Sequence, residues 1–577
     1  MADRGDRRAR RRRPRPAATL LAATVAVLST VVPTLPADAA EPVSGPLRVE
    51  VADGGVVEVT DHARGSRRFV DTLEFHAGSA GTLLVNDLAM EEYVAGVAEM
   101  PARWHLEALK AQAVAARTYA WYSIRLGTFT HYDICATVAC QVFRGADTVL
   151  DSDLGGRWRE AVDQTAGQVL VDDDGRPILA RYFSTSGGRT YPNEVVFPDD
   201  GPRPFLVGTD DPADAVSPYH RWIVTFTREQ FDDIIGRGDT LARAAPVADV
   251  RREGSVHDPY ADVVVTADDG TEVRVGARQF REFVSRMAAE RYPQDFPGVR
   301  GDGVRRLPET LPSSRFEIIV DDQHVVIEGL GWGHGVGLGQ YGALGRAQQG
   351  EDHQDILAAY YDGLTPTASD DLPSRIRVGM DVGDTFTLRP SATMRILAGD
   401  TVVEEIALGA WTVERQGEDW ALTPPDGHDA DLEVAATRPA AGLDLGDAAV
   451  VETEVNKPVL LRLVVRDEDG SEVLVRDLGA ADPGVHAATW RFEDTDGQPV
   501  PEGDYTLTLV GRDAAGEEDG SPHTLRVGAE AVATARERAA DEDEAGGGTE
   551  RVLLALVAPA TLFVLLAAAR RSRRSPA

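Results

Sequence analysis

LLVNDLAMEEYVAGVAEMPARWHLEALKAQAVAARTYAWY, running from Leu83 to Tyr122, holds two helical patterns separated by a break. In the second, Leu106, Leu109, Ala113, Ala116 and Ala120 recur at a spacing that keeps one helix face buried. Lys110 and Arg117 lie two turns apart and share another face. The first pattern starts near Asn86 or Asp87, either of which can cap a helix. It stops by Met100, because Pro101 disfavours helical backbone at the residue before it. Glu99 therefore falls at a helix end, with Trp104 close in sequence. The partial negative charge of a helix C-terminus disfavours an ionised carboxylate. A neighbouring indole does the same by excluding water. Both effects make Glu99 a candidate proton donor near neutral pH. The competing reading is a solvated Glu in a helix-loop-helix.

Around this stretch lie 577 residues, room for roughly three to four domains. The net charge is −35. Residues 1–39 carry eight Arg against three Asp, and the last eight residues carry four Arg, so the chain between is more acidic still. Such a surface repels nucleic acid and anionic headgroups, which argues against a nucleic-acid partner. Residues 1–39 read as a signal peptide: a basic start, an apolar run from Ala17 to Val32, and the small-x-small site Ala37-Asp38-Ala39. Val552 to Ala569 is free of charge and is followed by Arg570, Arg571, Arg573 and Arg574. It predicts one C-terminal transmembrane helix over 551–569, a cytoplasmic basic tail over 570–577, and an extracellular body held at the cell membrane.

The two cysteines, Cys135 and Cys140, sit in HYDICATVACQVFRG. Outside the cell a close pair reads as a disulfide. With His131 it alternatively reads as part of a zinc site, although a structural zinc takes four ligands and three are visible. Further along, QVLVDDDGRPILARYFSTSGGRT predicts a hairpin around Asp174-Gly175 leading to the small-residue loop Ser184–Gly188. Short strands are expected over Leu47–Val51, Val56–Thr60 and Asp71–His76, with a hairpin turn at Asp53-Gly54-Gly55. GLGWGHGVGLGQYGALGRAQQG, residues 329–350, alternates glycine with other residues, a pattern that permits close backbone approach. His334 in its middle is a candidate donor, base or ligand. Residues 372–445 read as a β-rich module, and 446–528 as a small antiparallel sandwich. Residues 529–550 read as a charged, flexible stalk.

Three stretches together resemble the SpoIID/LytB family, named after stage II sporulation protein D and an amidase enhancer. They are MEEYVAGVAEMPARWHLEALKAQAVAARTYA (90–120), FSTSGGRT (183–190) and GWGHGVGLGQYGA (331–343). The resemblance covers about 45–370. It implies an α+β catalytic domain of mixed helices and antiparallel sheet, followed by all-β modules. It also implies a lytic transglycosylase that cuts between N-acetylmuramic acid and N-acetylglucosamine in peptidoglycan glycan strands, preferring strands stripped of peptide, in sporulation or wall remodelling. No cofactor is required. Glu99, in the family's Glu-Met-Pro motif, is the implied catalytic acid. Lys110 and Arg117 match basic positions that either bind substrate or hold the site by ion pairing. Ser184, Ser186, Gly187 and Gly188 are implied on one side of a glycan groove, and His334, Gln340 and Tyr341 on the other. Two departures matter. Ala139 stands where members often carry His before the second cysteine, which weakens zinc and favours the disulfide. Gly339 stands where Ser often precedes the Gln. WRFEDTDGQPVPEGDYTLTL (490–509) resembles the Ig-like domain of flagellar hook-capping proteins. The rival to the enzyme is a glycan-binding enhancer of a cell-wall amidase; a plain surface adhesin would account for the Ig-like segment but not for the three motifs.

Overall fold

The structure is a computed structural model and describes residues 42–52, 54–78, 81–150, 155–258, 260–297, 307–437 and 448–545. The helix predicted over Leu106 and beyond runs from Leu106 to Leu126 and ends at Gly127 in the left-handed conformation. It is buried on two sides. Leu109, Ala113, Ala116 and Ala120 face one apolar core. Ala108, Ala111, Val114 and Ala115 face another. Alanine carries both roles because its methyl lets neighbouring backbones approach while costing no side-chain entropy.

The first core lies between two β-sheets. One has seven strands in the order Thr401–Ala407, Met394–Ala398, Leu47–Val51, Thr72–Gly78, Gly81–Ala89, Arg375–Val382 and Ile134–Cys135. The other has six, in the order Val43–Ser44, Asp419–Thr423, Trp411–Gln416, Thr385–Pro390, Val57–Asp61 and Gly65–Phe69. Phe75 of the first stacks on Phe386 of the second with ring centroids 4.5 Å apart, and Trp420 closes on Phe386 edge-on.

Several expectations change here. Asn86 and Asp87 do not cap a helix: both lie in the strand Gly81–Ala89, and the Asn86 amide donates to the carbonyls of Val70 and Thr72. The helix begins only at Met90. The hairpin expected around Asp53-Gly54-Gly55 does not form: Leu47–Val51 and Val57–Asp61 belong to different sheets. Residues 372–445 are not a separate module. Arg375–Val382 pairs with Gly81–Ala89, and Thr385–Pro390 with Val57–Asp61, so this segment completes the sheets that the N-terminal strands begin.

Residues 218–330 interrupt this domain with a second lobe. Two three-stranded sheets and the helices Arg228–Ile235 and Ala277–Arg291 enclose a core that includes Phe226, Phe231, Phe280 and Phe316. A three-stranded sheet (Val434–Ala436, Ala449–Val455 and Gly484–Trp490) and a four-stranded sheet form the expected sandwich around Trp490, Leu463 and Leu507. Residues 529–545 are helical rather than a flexible stalk, because Val532 and Ala535, one turn apart, pack into the sandwich core. Among the described residues no helix is long and apolar enough to cross a membrane. The fold class of the described residues is corrected accordingly to an α+β domain followed by one all-β sandwich, with no membrane-spanning helix among them. The helix Ala529–Ala545 is rich in Asp, Glu and Arg, and the segments 1–39, 551–569 and 570–577 lie outside the described residues.

The shared sheets make a direct prediction. A chain ending at residue 370 loses central strands of both sheets and shows no cooperative thermal unfolding. A chain ending at residue 437 keeps them and unfolds cooperatively, as followed by circular dichroism.

Candidate functional site

The helix Met90–Gly96 ends before the catalytic candidate. Val97 then pairs with Phe143, and the Ala98 amide donates to the Val142 carbonyl at 2.9 Å. This lays Glu99 beside the segment that follows Cys140. Glu99 Oε1 accepts the Val142 amide at 2.7 Å and the Tyr182 hydroxyl at 3.4 Å. Cys140 is disulfide-bonded to Cys135, with Cα atoms 5.5 Å apart, which closes the loop leading into this segment.

Tyr182 in turn accepts from Gln141 Nε2 at 2.9 Å. That nitrogen also donates to the Ala116 carbonyl at 3.3 Å, which can only accept and so fixes the orientation of the amide. Gln141 Oε1 accepts from the Tyr93 hydroxyl. The donors therefore run one way, from Tyr93 through Gln141 and Tyr182 to Glu99. Both donors end on Oε1, so the proton of neutral Glu99 belongs on Oε2. Burial raises the pKa of Glu99, while the bonds from Val142 and Tyr182 act in the other direction and only partly offset it. Burial also pushes Tyr182 and Tyr93 well above the usual tyrosine range, so both stay protonated donors.

Glu99 lines a cleft of about 1040 Å³. Trp104, Ser184, Gln340 and Tyr341 line it from the main domain, and Arg278 and Glu282 from the second lobe. The cleft brings together five of the predicted catalytic and substrate-binding residues, Glu99, Ser184, His334, Gln340 and Tyr341, together with Cys140 of the disulfide. Gln340 Nε2 donates to the Glu99 carbonyl and to Gln112 Oε1, both at 3.3 Å, so it holds the loop that carries Glu99. Tyr341 donates its amide to the Ser184 carbonyl at 3.0 Å and sets its ring edge-on to Trp104. His334 is neither base nor ligand in this arrangement. Its Nε2–H donates to the Tyr182 carbonyl at 2.9 Å and its Nδ1 accepts from the Val336 amide at 3.1 Å. Burial, reinforced by the Arg181 cation, pushes its pKa down to about 3, so the ring is neutral near pH 7.

Ser186, Gly187 and Gly188 face inward instead of into the cleft. The amides of Ser186 and Gly187 donate to the buried Asp214 carboxylate at 2.8 and 2.9 Å, and the Gly188 amide to Ser186 Oγ at 3.1 Å. The two glycine loops lock together where Thr185 and Trp332 exchange backbone hydrogen bonds. Gly331 there has φ of +70° and no room for a Cβ against Thr185 and Arg315. Gly342 is needed for space alone, since a Cβ would strike the Tyr360 hydroxyl and the Asp211 carboxylate beneath the helix Gln340–Gln348.

Lys110 and Arg117 are structural. Lys110 pairs with Glu107 at 2.7 Å, and Glu107 also accepts both the amide and the ring of His353 at 2.9 Å. Burial would raise Glu107, but the Lys110 and His353 hydrogen bonds overcome it and bring its pKa to about 2. Arg117 is fully buried; its guanidinium grips both oxygens of Glu91 and donates to the Gln168 carbonyl at 3.1 Å. Removing Glu91 strands the fully buried Arg117 guanidinium, at a cost of about 3–5 kcal/mol. The residues of the zinc alternative do not fit a metal site. The two sulfurs are bonded to each other and offer no thiolate, Ala139 supplies no ligand, and the exposed His131 ring lies 4.8 Å from that of His76. Among the described residues no group of three or more His, Cys, Asp or Glu is placed to hold an ion.

Sequence reasoning missed Tyr93, Gln141, Val142 and Tyr182. Gln141 and Val142 directly follow the second cysteine and Tyr182 directly precedes the Phe-Ser-Thr-Ser run, so adjacency to the motifs was the available signal.

A family model described as "Stage II sporulation protein" (SpoIID) matches residues 79–171. An uncharacterized protein of Brachyspira hyodysenteriae is 30% identical over 289 residues, covering 49% of this chain and 67% of that protein. The chain belongs to the SpoIID family. The matched stretch contains Glu99, both cysteines and the buried helix. A Bacillus subtilis protein named "Amidase enhancer" is 31% identical over 294 residues, 47% of this chain but 39% of that protein. The Bacillus subtilis "Stage II sporulation protein D" is 28% identical over 308 residues, covering 50% of this chain and 76% of that protein. A FlgD Ig-like domain model matches residues 441–515, the sandwich of this SpoIID-family chain.

The raised pKa of Glu99 has a consequence for stability. A carboxyl whose folded-state pKa lies above its unfolded value supports folding at low pH, and that support is lost as pH rises through the folded value. Glu99→Gln keeps an acceptor for Val142 and Tyr182 and removes the buried charge. The melting temperature at pH 7 is expected to rise in Glu99→Gln, and the gain to shrink toward pH 4. A calorimetric pH series checks both.

Proposed function

We propose that this SpoIID-family protein acts on the cell wall as a lytic transglycosylase, cleaving peptidoglycan glycan strands between N-acetylmuramic acid and N-acetylglucosamine. The observation that carries the reading is the state of Glu99: a carboxyl in an open cleft, its pKa raised by burial, with Oε1 committed to two donors. Oε2 delivers its proton to the bridging oxygen as the bond to the sugar breaks and an oxocarbenium-like centre forms. The same group, now carboxylate, takes the proton from the C6 hydroxyl of the muramic acid. That oxygen attacks C1 and closes a 1,6-anhydro ring. One carboxyl serves as acid and then as base, unlike the paired carboxylates of most glycosidases. The disulfide supports work outside the cytoplasm, where such bonds persist.

The relative named "Amidase enhancer" favours a second reading, in which the same cleft grips glycan and assists a separate amidase without cutting. One experiment separates the two. The chain and its Glu99→Gln variant are incubated with peptide-free glycan strands, and products are read by mass spectrometry. The transglycosylase yields 1,6-anhydro ends, and Glu99→Gln lowers the rate by about 10²–10⁴. The wild-type rate falls as pH rises through the pKa of Glu99, because the acid form must be present. Glycan binding with no anhydro product from either protein would leave the enhancer.

A further inference from the structure

The disulfide joins two segments that are anchored separately. Cys135 ends the short strand Ile134–Cys135, which pairs with Val378 and Gly379 at the edge of the seven-stranded sheet. Cys140 begins the run that reaches Glu99: Gln141 holds Tyr182, and the Val142 amide donates to Glu99 Oε1. Between the cysteines, Thr137, Val138 and Ala139 are exposed, and Val138, Ala139 and Cys140 line the cleft with Glu99. The loop is therefore a rim of the cleft, tied at one end to the sheet and at the other to the segment that orients Glu99.

The bonds behind this rim do not involve sulfur. The Phe143 amide donates to the Ala136 carbonyl at 3.2 Å, the Ala98 amide to the Val142 carbonyl at 2.9 Å, and the Phe143 ring is buried in the main core. Breaking the S–S bond frees Cys140 and the rim while the fold behind them stays closed. Access is also present. Both cysteines are partly exposed and Cys140 lines the cleft, so an external thiolate can reach a sulfur. A reacting group displaced by about 1 Å loses roughly 10² in rate, so a loosened rim matters more to chemistry than to stability.

We propose that the Cys135–Cys140 disulfide is a redox-sensitive positioning element for Glu99: a dithiol reductant that opens it lowers glycan cleavage and leaves the domain folded. The exchange balances without a further reactant. The two thiols of the reductant give up two electrons and two protons and become a disulfide, and Cys135 and Cys140 become thiols. This rests on the glycan-cleaving reading of the cleft and adds a condition to it, an oxidising environment.

The test uses the full chain, oxidised and after dithiothreitol, with thiols titrated to show that Cys135 and Cys140 are free. Reduction is expected to lower release of 1,6-anhydro ends at pH 7 by about 10- to 100-fold. The limb on which the rate falls with rising pH moves to lower pH, because water reaching Glu99 weakens the effect of burial. A purely structural staple would leave that limb in place. Reoxidation restores the rate and the limb. The double variant Cys135→Ser, Cys140→Ser behaves as the reduced chain and ignores dithiothreitol. A readout independent of cleavage is the gain in melting temperature from Glu99→Gln at pH 7. It is expected to shrink on reduction, since a better solvated carboxylate leaves less for the substitution to relieve. A pH limb or a melting gain that stays in place after full reduction, or loss of cooperative melting, would overturn the proposal. Absence of anhydro ends in both states, with a gain that shrinks, removes the transglycosylase and keeps the redox link. Anhydro ends released equally in both states do the reverse.

Discussion

The constraint on which the molecule depends is that one helix, Leu106–Leu126, must be buried on two sides at once. A helix with large residues on both faces would hold the two cores apart. Alanines on both faces let them close, and the few polar side chains in between are then sealed from water and must find partners. Those partners organise the site. Arg117 draws in Glu91 of the preceding helix, and the Ala116 carbonyl orients Gln141. Gln112 meets Gln340, and the Thr118 hydroxyl accepts the Leu170 amide. Each bond fixes a segment that reaches the cleft, so burial of the helix and geometry of the cleft are one problem with one solution.

This explains which parts of the site were legible in the sequence. Glu99 could be found because its neighbours in the chain, Pro101 and Trp104, signal a break and an apolar environment. The physical reason behind it needed amendment. The helix stops at Gly96, and burial, together with the position of Glu99 in the cleft wall, raises its pKa. Lys110 and Arg117 look like ligands for a substrate because both are cationic and share a face. Glu107 lies one turn before Lys110 on the same helix and was readable from spacing, whereas Glu91 meets Arg117 only once the helix Met90–Gly96 docks on Leu106–Leu126. Tyr182 is 83 residues from Glu99 and Gln141 is 41 from Tyr182, and no local pattern marks such pairs.

The glycine-rich loops show how one composition serves two ends. Alternating glycines suggest a surface that lets a ligand approach the backbone. Here the approaching partner is mostly the other loop. Thr185 and Trp332 pair across, Gly331 closes on Thr185 and Arg315, and Asp214 takes the amides of Ser186 and Gly187. Of the residues expected to meet substrate, Ser184, His334, Gln340 and Tyr341 reach the cleft from these motifs, and His334 spends both ring nitrogens on backbone. The β-rich segment after residue 372 went unassigned to the main domain for a similar reason. Alternation identifies a strand but not its partner, and Arg375–Val382 pairs with a strand almost 300 residues earlier.

The balance at Glu99 decides what the cleft can do. A carboxyl with two hydrogen-bond donors and full access to water would titrate low and give up its proton too early to act as an acid. A carboxyl buried without donors would be neutral but free to turn, with its proton on either oxygen. Here burial is the larger influence and raises the pKa, while Val142 and Tyr182 decide which oxygen of the acid form carries the proton. The orientation is inherited from Gln141, and Gln141 from the backbone of the buried helix. The disulfide joins in because Cys140 is the residue before Gln141, so the loop that could let this segment drift is tied at its base. In a site built this way the proton is aimed by a chain of donors that ends on a single oxygen.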